Sequence, residues 1–313
     1  MTLLQAILLG IVQGLTEFIP ISSTAHLVLA GRAMNLPLTA EQTTASIAVI
    51  QLGTLVAVLI YFARDIWNIT RAFIRDHLII LKNGRRDDFN RTIPGARLSN
   101  EAWLGWLVII GSIPVAVVGL LFKKQIEGTF TKNLWVIATM MIVIAVFLAI
   151  AEFVATQRRR INELGIKDSL AVGFAQCLAL IPGSSRSGST IMAGLFAGET
   201  RETAARFSFL LSIPAIAASG LLELKEAIHK LPQGSLGPLV LGTIVSGIIG
   251  YMSIWFLLHY LRTHTTGIFI AYRLIVGGAI LFMLFSGRIA PANNAHAAAS
   301  PISNAALTRS STP

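Results

Sequence analysis

An ionisable side chain inside an apolar stretch is costly and calls for a functional reason. Four stand in such surroundings: Glu17, His26, Arg186 and Arg273. Arg186 lies in the run PGSSRSGST, residues 182–190. Pro182 ends the preceding apolar arm, and Gly183 and Gly188 permit tight turns and close approach of a ligand. A helix restarting near Ser187 points free backbone N–H groups and its positive dipole end into the break, which suits an anion. Arg186 adds a permanent charge with a forked donor geometry matched to phosphate, and Ser185, Ser187 and Thr190 add hydroxyl donors. Gly183 and Gly188 have the spacing of a nucleotide-binding P-loop, but Ser189 stands where that loop needs lysine. A helix break capped only by serines would not call for an arginine.

The second cluster covers residues 13–26. Gln13 and Glu17 are four apart and share a face of any helix they belong to. Ser22, Ser23 and His26 follow, with the histidine three and four residues after the serines, so that it can face them on a returning arm. A carboxylate, hydroxyls and an imidazole beside a phosphate supply a metal ligand or base, a nucleophile and a proton carrier. Glu17 with Gln13 can hold a hard cation such as Mg²⁺ through oxygens. Arg273, after Tyr272 in the last apolar segment, is either a second phosphate contact or the partner of a buried carboxylate such as Glu152. His229, His259 and His264 fall at loops or segment ends and carry no signal.

The elements that must position these groups follow from composition. Of 313 residues, 54% are hydrophobic and 13% charged, against about 25% charged in a soluble domain. Such a chain expects the bilayer as its solvent and bilayer lipids as neighbours. The net charge of +10 does not indicate nucleic acid, because the basic residues occupy short loops between apolar runs and act as orientation signals. The lone Cys177 excludes a disulfide framework and a cysteine-based zinc site. No basic residue precedes Arg32, so the apolar start lacks the charged region of a signal peptide and is expected to be retained as structure.

Six segments are predicted to span: 46–62, 103–122, 134–154, 206–222, 238–260 and 266–286. Residues 3–30 and 170–197 differ. Each is two short apolar arms around a polar centre, and irregular backbone at membrane depth is tolerated only where protein or a wet cavity satisfies it. They are predicted as two re-entrant helix hairpins, with one kinked span each as the alternative. Loops 63–102 and 155–169 hold eight and four Lys or Arg; with Arg201 and Arg262 they put 14 basic residues on one side against eight on the other, so that side is the cytoplasm. Both termini then lie outside, and the hairpins enter from opposite faces. QGLTEFIPISS (13–23) aligns with QCLALIPGSS (176–185), which predicts an inverted repeat with halves of about 1–155 and 170–286. The echo of Ser112-Ile-Pro114 in Ser212-Ile-Pro214 does not fit that pairing. Residues 64–81 read as an interfacial amphipathic helix, 82–100 as a mobile loop, and 287–313 as a disordered tail after a single membrane domain, 1–286.

These segments resemble the signatures of the bacterial undecaprenyl-diphosphate phosphatase family associated with bacitracin resistance. One signature, Glu or Gln, three residues, then Glu, is met by Gln13 to Glu17; Ser22, Ser23, Thr24 and His26 follow as in the family. The other, PGxSRSxxT, is matched in full by Pro182 to Thr190. The likeness runs from Leu3 to about Phe285. It implies an all-α integral membrane protein of six transmembrane helices and two re-entrant hairpins. It also implies a divalent cation (Mg²⁺ or Ca²⁺) and hydrolysis of undecaprenyl diphosphate to undecaprenyl phosphate and inorganic phosphate, which recycles the cell-wall lipid carrier in the bacterial inner membrane. The active site would then open to the periplasmic side, and a homo-oligomer is compatible with the pattern. By position, Glu17 becomes metal ligand or base with Gln13 beside it. Arg186 becomes the phosphate clamp, helped by Ser185, Ser187 and Thr190, with Ser22, Gly183 and Arg273 as further phosphate contacts. The nucleophile is Ser23 or His26, and the working assignment is Ser23 with His26 handling protons. Glutamine at position 13 leaves Glu17 the only carboxylate of that pair.

Two other classes compete. A transporter that flips the lipid product shares the repeat signature. An acid-phosphatase-like lipid phosphatase would place a histidine six residues after the arginine of its Ser-Arg pair, where this chain has Met192.

Overall fold

In lipid, a helix is the open-ended backbone form that satisfies its own N–H and C=O groups, and the long apolar runs of this chain adopt it. A computed structural model describes residues 1–36, 40–83, 98–122, 133–230 and 236–291. They form eleven α-helices: α1 Leu3–Phe18, α2 Ser23–Ala33, α3 Ala40–Tyr61, α4 Ala63–Asn83, α5 Asn100–Leu121, α6 Leu134–Val154, α7 Ile166–Cys177, α8 Arg186–Phe196, α9 Arg201–Lys230, α10 Leu236–Tyr260 and α11 Gly267–Phe285. Among the described residues, six segments are long and apolar enough to cross a membrane: Gln42–Tyr61, Asn100–Leu121, Leu134–Val154, Arg201–Leu221, Leu236–Tyr260 and Gly267–Phe285. These are the six predicted spans. The largest edge error is at the start of α9, predicted at 206 and found at Arg201. Residues 84–97 of the predicted loop and 292–313 of the predicted tail lie outside the described residues.

The two interrupted stretches give helices of 16, 11, 12 and 11 residues, α1, α2, α7 and α8. At about 1.5 Å per residue none reaches the roughly 30 Å of a hydrocarbon core. α1 packs along α10 and α7 along α5, while α3 packs on α9 and α10, and α6 on α11. Small residues let the first two pairs touch backbone to backbone. A Cβ on Gly10 would meet the Gly242 carbonyl oxygen at 2.4 Å, and one on Gly173 would meet that of Gly111 at 2.3 Å.

The main core joins Phe18, Phe62, Phe209, Leu195, Ile254 and Leu257, where the end of α1 meets α8, α9 and α10. Outward faces carry bare apolar side chains such as Phe153, Ile275 and Leu120, as a lipid-facing surface requires. The predicted amphipathic segment is α4, which exposes Trp67, Ile74, Leu78 and Leu81. It is tied to α5 because Asp76 accepts from the Ser99 amide at 2.8 Å and hydroxyl at 2.6 Å. Burial raises the Asp76 carboxyl, but Ser99 and Arg75 outweigh it and hold the group below its ordinary value.

Beside the turn between α8 and α9, Arg159 of the α6–α7 connection forks onto both oxygens of Asp168 in α7 at 2.5 and 2.6 Å. Glu199 is fully buried beside them, and neither of its carboxylate oxygens has a hydrogen-bond partner among the described residues. Burial pushes its carboxyl up to about 7, helped by the like charge of Asp168 and opposed by Arg159.

Candidate active site

Each short-helix pair is broken by proline and serine. In the first break, Pro20 follows α1 and Ser22 caps α2; in the second, Pro182 precedes Ser185, which caps α8. Both capping serines hold positive φ, 79° and 68°. For a non-glycine residue this conformation costs on the order of 1–3 kcal/mol, a strain that clusters at functional sites. Ser185 Oγ accepts from the Gly188 amide at 3.2 Å and Ser22 Oγ from the Ala25 amide at 3.5 Å. Two helix N-termini therefore begin at these breaks, each with first-turn amides available to an anion.

The breaks are held together by Arg273, whose side chain is completely buried. Its guanidinium donates to the carbonyls of Pro20 (3.2 Å) in the first break and of Gly183 (3.0 Å) and Ser184 (3.1 Å) in the second. It also donates to Met141 (3.1 Å) and Met140 (3.3 Å) on α6. Neither predicted role describes this geometry. The guanidinium is spent on backbone carbonyls, and Glu152 pairs instead with Arg201 and accepts from the Thr266 hydroxyl at 2.7 Å. Glu152 and Thr266 mark one end of the α6–α11 pair, and the Trp135–Phe285 ring contact marks the other. The Arg273 clamp lies between them, so the breaks meet inside the span of this pair.

Glu17 of α1 and Arg186 of α8 form a direct ion pair. Gln13 Nε2 donates to the other Glu17 oxygen at 2.9 Å, as the shared helix face predicted. Ser187 reaches across as well, donating to the carbonyls of Ile19 (3.3 Å) and Glu17 (3.5 Å), with Ser185 Oγ 3.2 Å away. A narrow cleft lined by Glu17, Phe18, Arg186, Ser187, Ser208 and Ser212 opens beside the pair.

Other predicted residues are placed differently. Thr190 is buried, its hydroxyl donating to the Arg186 carbonyl at 2.7 Å and lying 2.5 Å from Ser208 Oγ; it faces α9. Gly183, at φ +93°, presses on α6, where a Cβ would meet the Ile137 carbonyl oxygen at 2.3 Å. Ser23 opens α2, half-buried, and its hydroxyl has no hydrogen-bond partner among the described residues. His26 bonds through Nδ1 to the Ser22 carbonyl at 2.7 Å and through Nε2 to the Tyr272 hydroxyl at 2.6 Å. Sequence reasoning missed Tyr272, Ser208 and Ser212. A polar aromatic next to Arg273 was the available signal for the first; the serines of α9 carry none in a helix where Ser is common.

Among the described residues no three His, Cys, Asp or Glu side chains converge as a metal cluster. The donors that fit a hard cation are Glu17 and Gln13. Gln13 Oε1 is buried without a hydrogen-bond partner among the described residues, an oxygen ligand left over beside a carboxylate.

A family model described as bacitracin resistance protein BacA matches residues 6–279. The undecaprenyl-diphosphatase of Syntrophobacter fumaroxidans is 51% identical over 91% of this chain and 98% of its own length. That of Chlorobaculum tepidum is 46% identical over 93% and 100%, and that of Mycolicibacterium gilvum 45% over 93% and 99%. The paired breaks, the Glu17–Arg186 contact and this match across both motifs agree: the chain belongs to the bacitracin resistance protein BacA family.

Proposed function

We propose that this protein hydrolyses undecaprenyl diphosphate to undecaprenyl phosphate and inorganic phosphate within the bacterial inner membrane. The observation that carries this reading is the meeting of Glu17 and Arg186, 169 residues apart, at the facing breaks of two short-helix pairs. A carboxylate, a guanidinium, two helix N-termini and a ring of serines are the parts a diphosphate-binding and phosphoryl-transfer site needs.

We read the two broken stretches as re-entrant hairpins of an inverted repeat. The helix lengths support this, as does the exchanged packing: the first arm of each half lies against the second span of the other, α1 on α10 and α7 on α5. With the basic loops on the cytoplasmic side, the site opens to the periplasm.

The prenyl chain stays among the spans while its diphosphate enters the break. The cleft is narrow, so the ligand takes over the Arg186 guanidinium from Glu17. Arg186 and the α8 amides then oppose the charge building on the phosphoryl oxygens. Ser23 Oγ attacks the terminal phosphorus: an O–P bond forms, the anhydride P–O bond breaks toward prenyl phosphate, and the hydroxyl proton passes to His26. Water next attacks the phosphoserine phosphorus, the P–Oγ bond breaks, and His26 returns its proton to Ser23 Oγ as phosphate leaves. His26 as the nucleophile in place of Ser23 is the alternative. A divalent cation, Mg²⁺ or Ca²⁺, would rest on Glu17 and Gln13 and supply charge neutralisation on the diphosphate. Arg273 positions both breaks.

The same paired breaks would serve a carrier that flips the lipid product. Purified protein given undecaprenyl diphosphate separates the readings: release of inorganic phosphate supports the enzyme, and lipid translocation without phosphate release overturns it.

A further inference from the structure

The His26 imidazole is engaged on both nitrogens, and the partner of Nδ1 fixes where its first hydrogen lies. Nδ1 lies 2.7 Å from the Ser22 carbonyl oxygen, which only accepts, so Nδ1 carries the hydrogen. In the neutral ring Nε2 is then an acceptor, and the Tyr272 hydroxyl, 2.6 Å away, donates to it. A second cation is opposed here by Arg273, the next residue along α11. The phenol ring also stacks on the imidazole, with centroids 5.6 Å apart and planes inclined by 17°. Tyr272 is anchored in turn, because Arg273 is clamped to α6 and to both breaks. One side chain therefore sets the tilt of His26 and the direction of its one acceptor lone pair.

We propose that Tyr272 is a positioning residue that holds His26 neutral, protonated on Nδ1, with Nε2 presented as the proton acceptor. This rests on the reading of His26 as the proton carrier. A phenol suits the task because it both donates and accepts. When the nucleophile gives up its proton, the phenol hydroxyl turns its own hydrogen away from Nε2; Nε2 takes the proton, its new N–H donates to the phenol oxygen, and the ring keeps its place. Phenylalanine would keep the stack and lose the bond in both states.

The test uses the full-length protein in detergent and the Tyr272→Phe variant. Diethyl pyrocarbonate acylates unprotonated imidazole nitrogen, and mass spectrometry of the His26 peptide reads the rate. His264, bonded to Thr263 and stacked on Tyr260, is the internal reference. Freed of its donor, His26 should react about fivefold faster or more while His264 is unchanged, and kcat for phosphate release should fall about tenfold with KM within about twofold, as loss of one hydrogen bond near 1.4 kcal/mol implies. An unchanged His26 rate, or kcat above about half of wild type, overturns the proposal. His26→Asn tests the underlying reading separately. If it turns over normally, His26 is not the proton carrier. If it is inactive while Tyr272→Phe matches wild type in both measurements, the assignment of Tyr272 alone falls.

Discussion

Replacing Arg273 by lysine keeps a buried positive charge and removes the fork. The guanidinium serves five carbonyls on three separate segments. Met140 and Met141 lie inside α6 and keep their helical partners; Pro20, Gly183 and Ser184 lie in the breaks and depend on Arg273. A lysine ammonium has three donors at one point and cannot cover both breaks, so about two carbonyls are left unmade, at roughly 1–3 kcal/mol each. The cost of burying a charge is not recovered, because the ammonium is hydrated more strongly than guanidinium. The sum is about 2–6 kcal/mol, a fall in Tm of at least about 5 °C for a chain of this size. Arg273→Met loses the bonds but recovers the burial cost, so it should melt closer to wild type than the lysine variant. Both should lose most phosphate release, because the breaks are no longer held in register. Thermal unfolding in detergent and a phosphate-release assay read the two effects. If Arg273→Lys kept more than about half the activity, charge rather than the fork would matter, and the positioning role would be wrong.

Glu199 gives a pH-dependent prediction. Its carboxyl titrates at about 7 in the fold against an ordinary 4.5, so the folded state keeps a proton that the unfolded chain releases. Stability is then lost as pH rises from about 4.5 through 7, by roughly 3 kcal/mol in full; Glu199→Gln should raise Tm at pH 8 by roughly 5 °C or more and little at pH 5, and equal shifts at both would refute this. Gly183→Ala places a Cβ 2.3 Å from the Ile137 carbonyl oxygen at a φ of +93° and should cost more than about 2 kcal/mol, seen as a lower Tm and poor recovery from membranes. Ser23→Ala and His26→Asn, assayed with and without EDTA, divide the chemistry. Ser23→Ala should show no turnover, His26→Asn should show low turnover, and chelation should abolish wild-type activity.

Much of this architecture was legible because bilayer spans impose length and hydropathy together. Edges slipped where a helix begins with polar residues: Gln42–Thr44 open the first span, and Arg201 opens α9 while pairing with Glu152. The breaks were readable from Pro20, Pro182 and the serines around them, and the Gln13–Glu17 contact from its four-residue spacing. The Glu17–Arg186 meeting was inferable only as convergence on one anion. What local pattern could not supply was long-range choice among equally suitable groups. Arg273 selects carbonyls over Glu152 because the breaks leave acceptors that no helix serves, while Glu152 sits at the far end of α6 beside Arg201 and Thr266. The partnership of His26 with Tyr272 spans 246 residues, and nothing near either one encodes it.

Glu17 and Arg186, from different short-helix pairs, are proposed to build one diphosphate site. A double-mutant cycle on kcat/KM for phosphate release tests it, with Glu17→Ala, Arg186→Ala and the pair together. Residues acting as a unit are strongly non-additive, so each single variant should fall at least about a hundredfold and the double variant little further. Losses that multiply in the double variant, or either single variant keeping more than about a tenth of wild-type activity, would contradict the account.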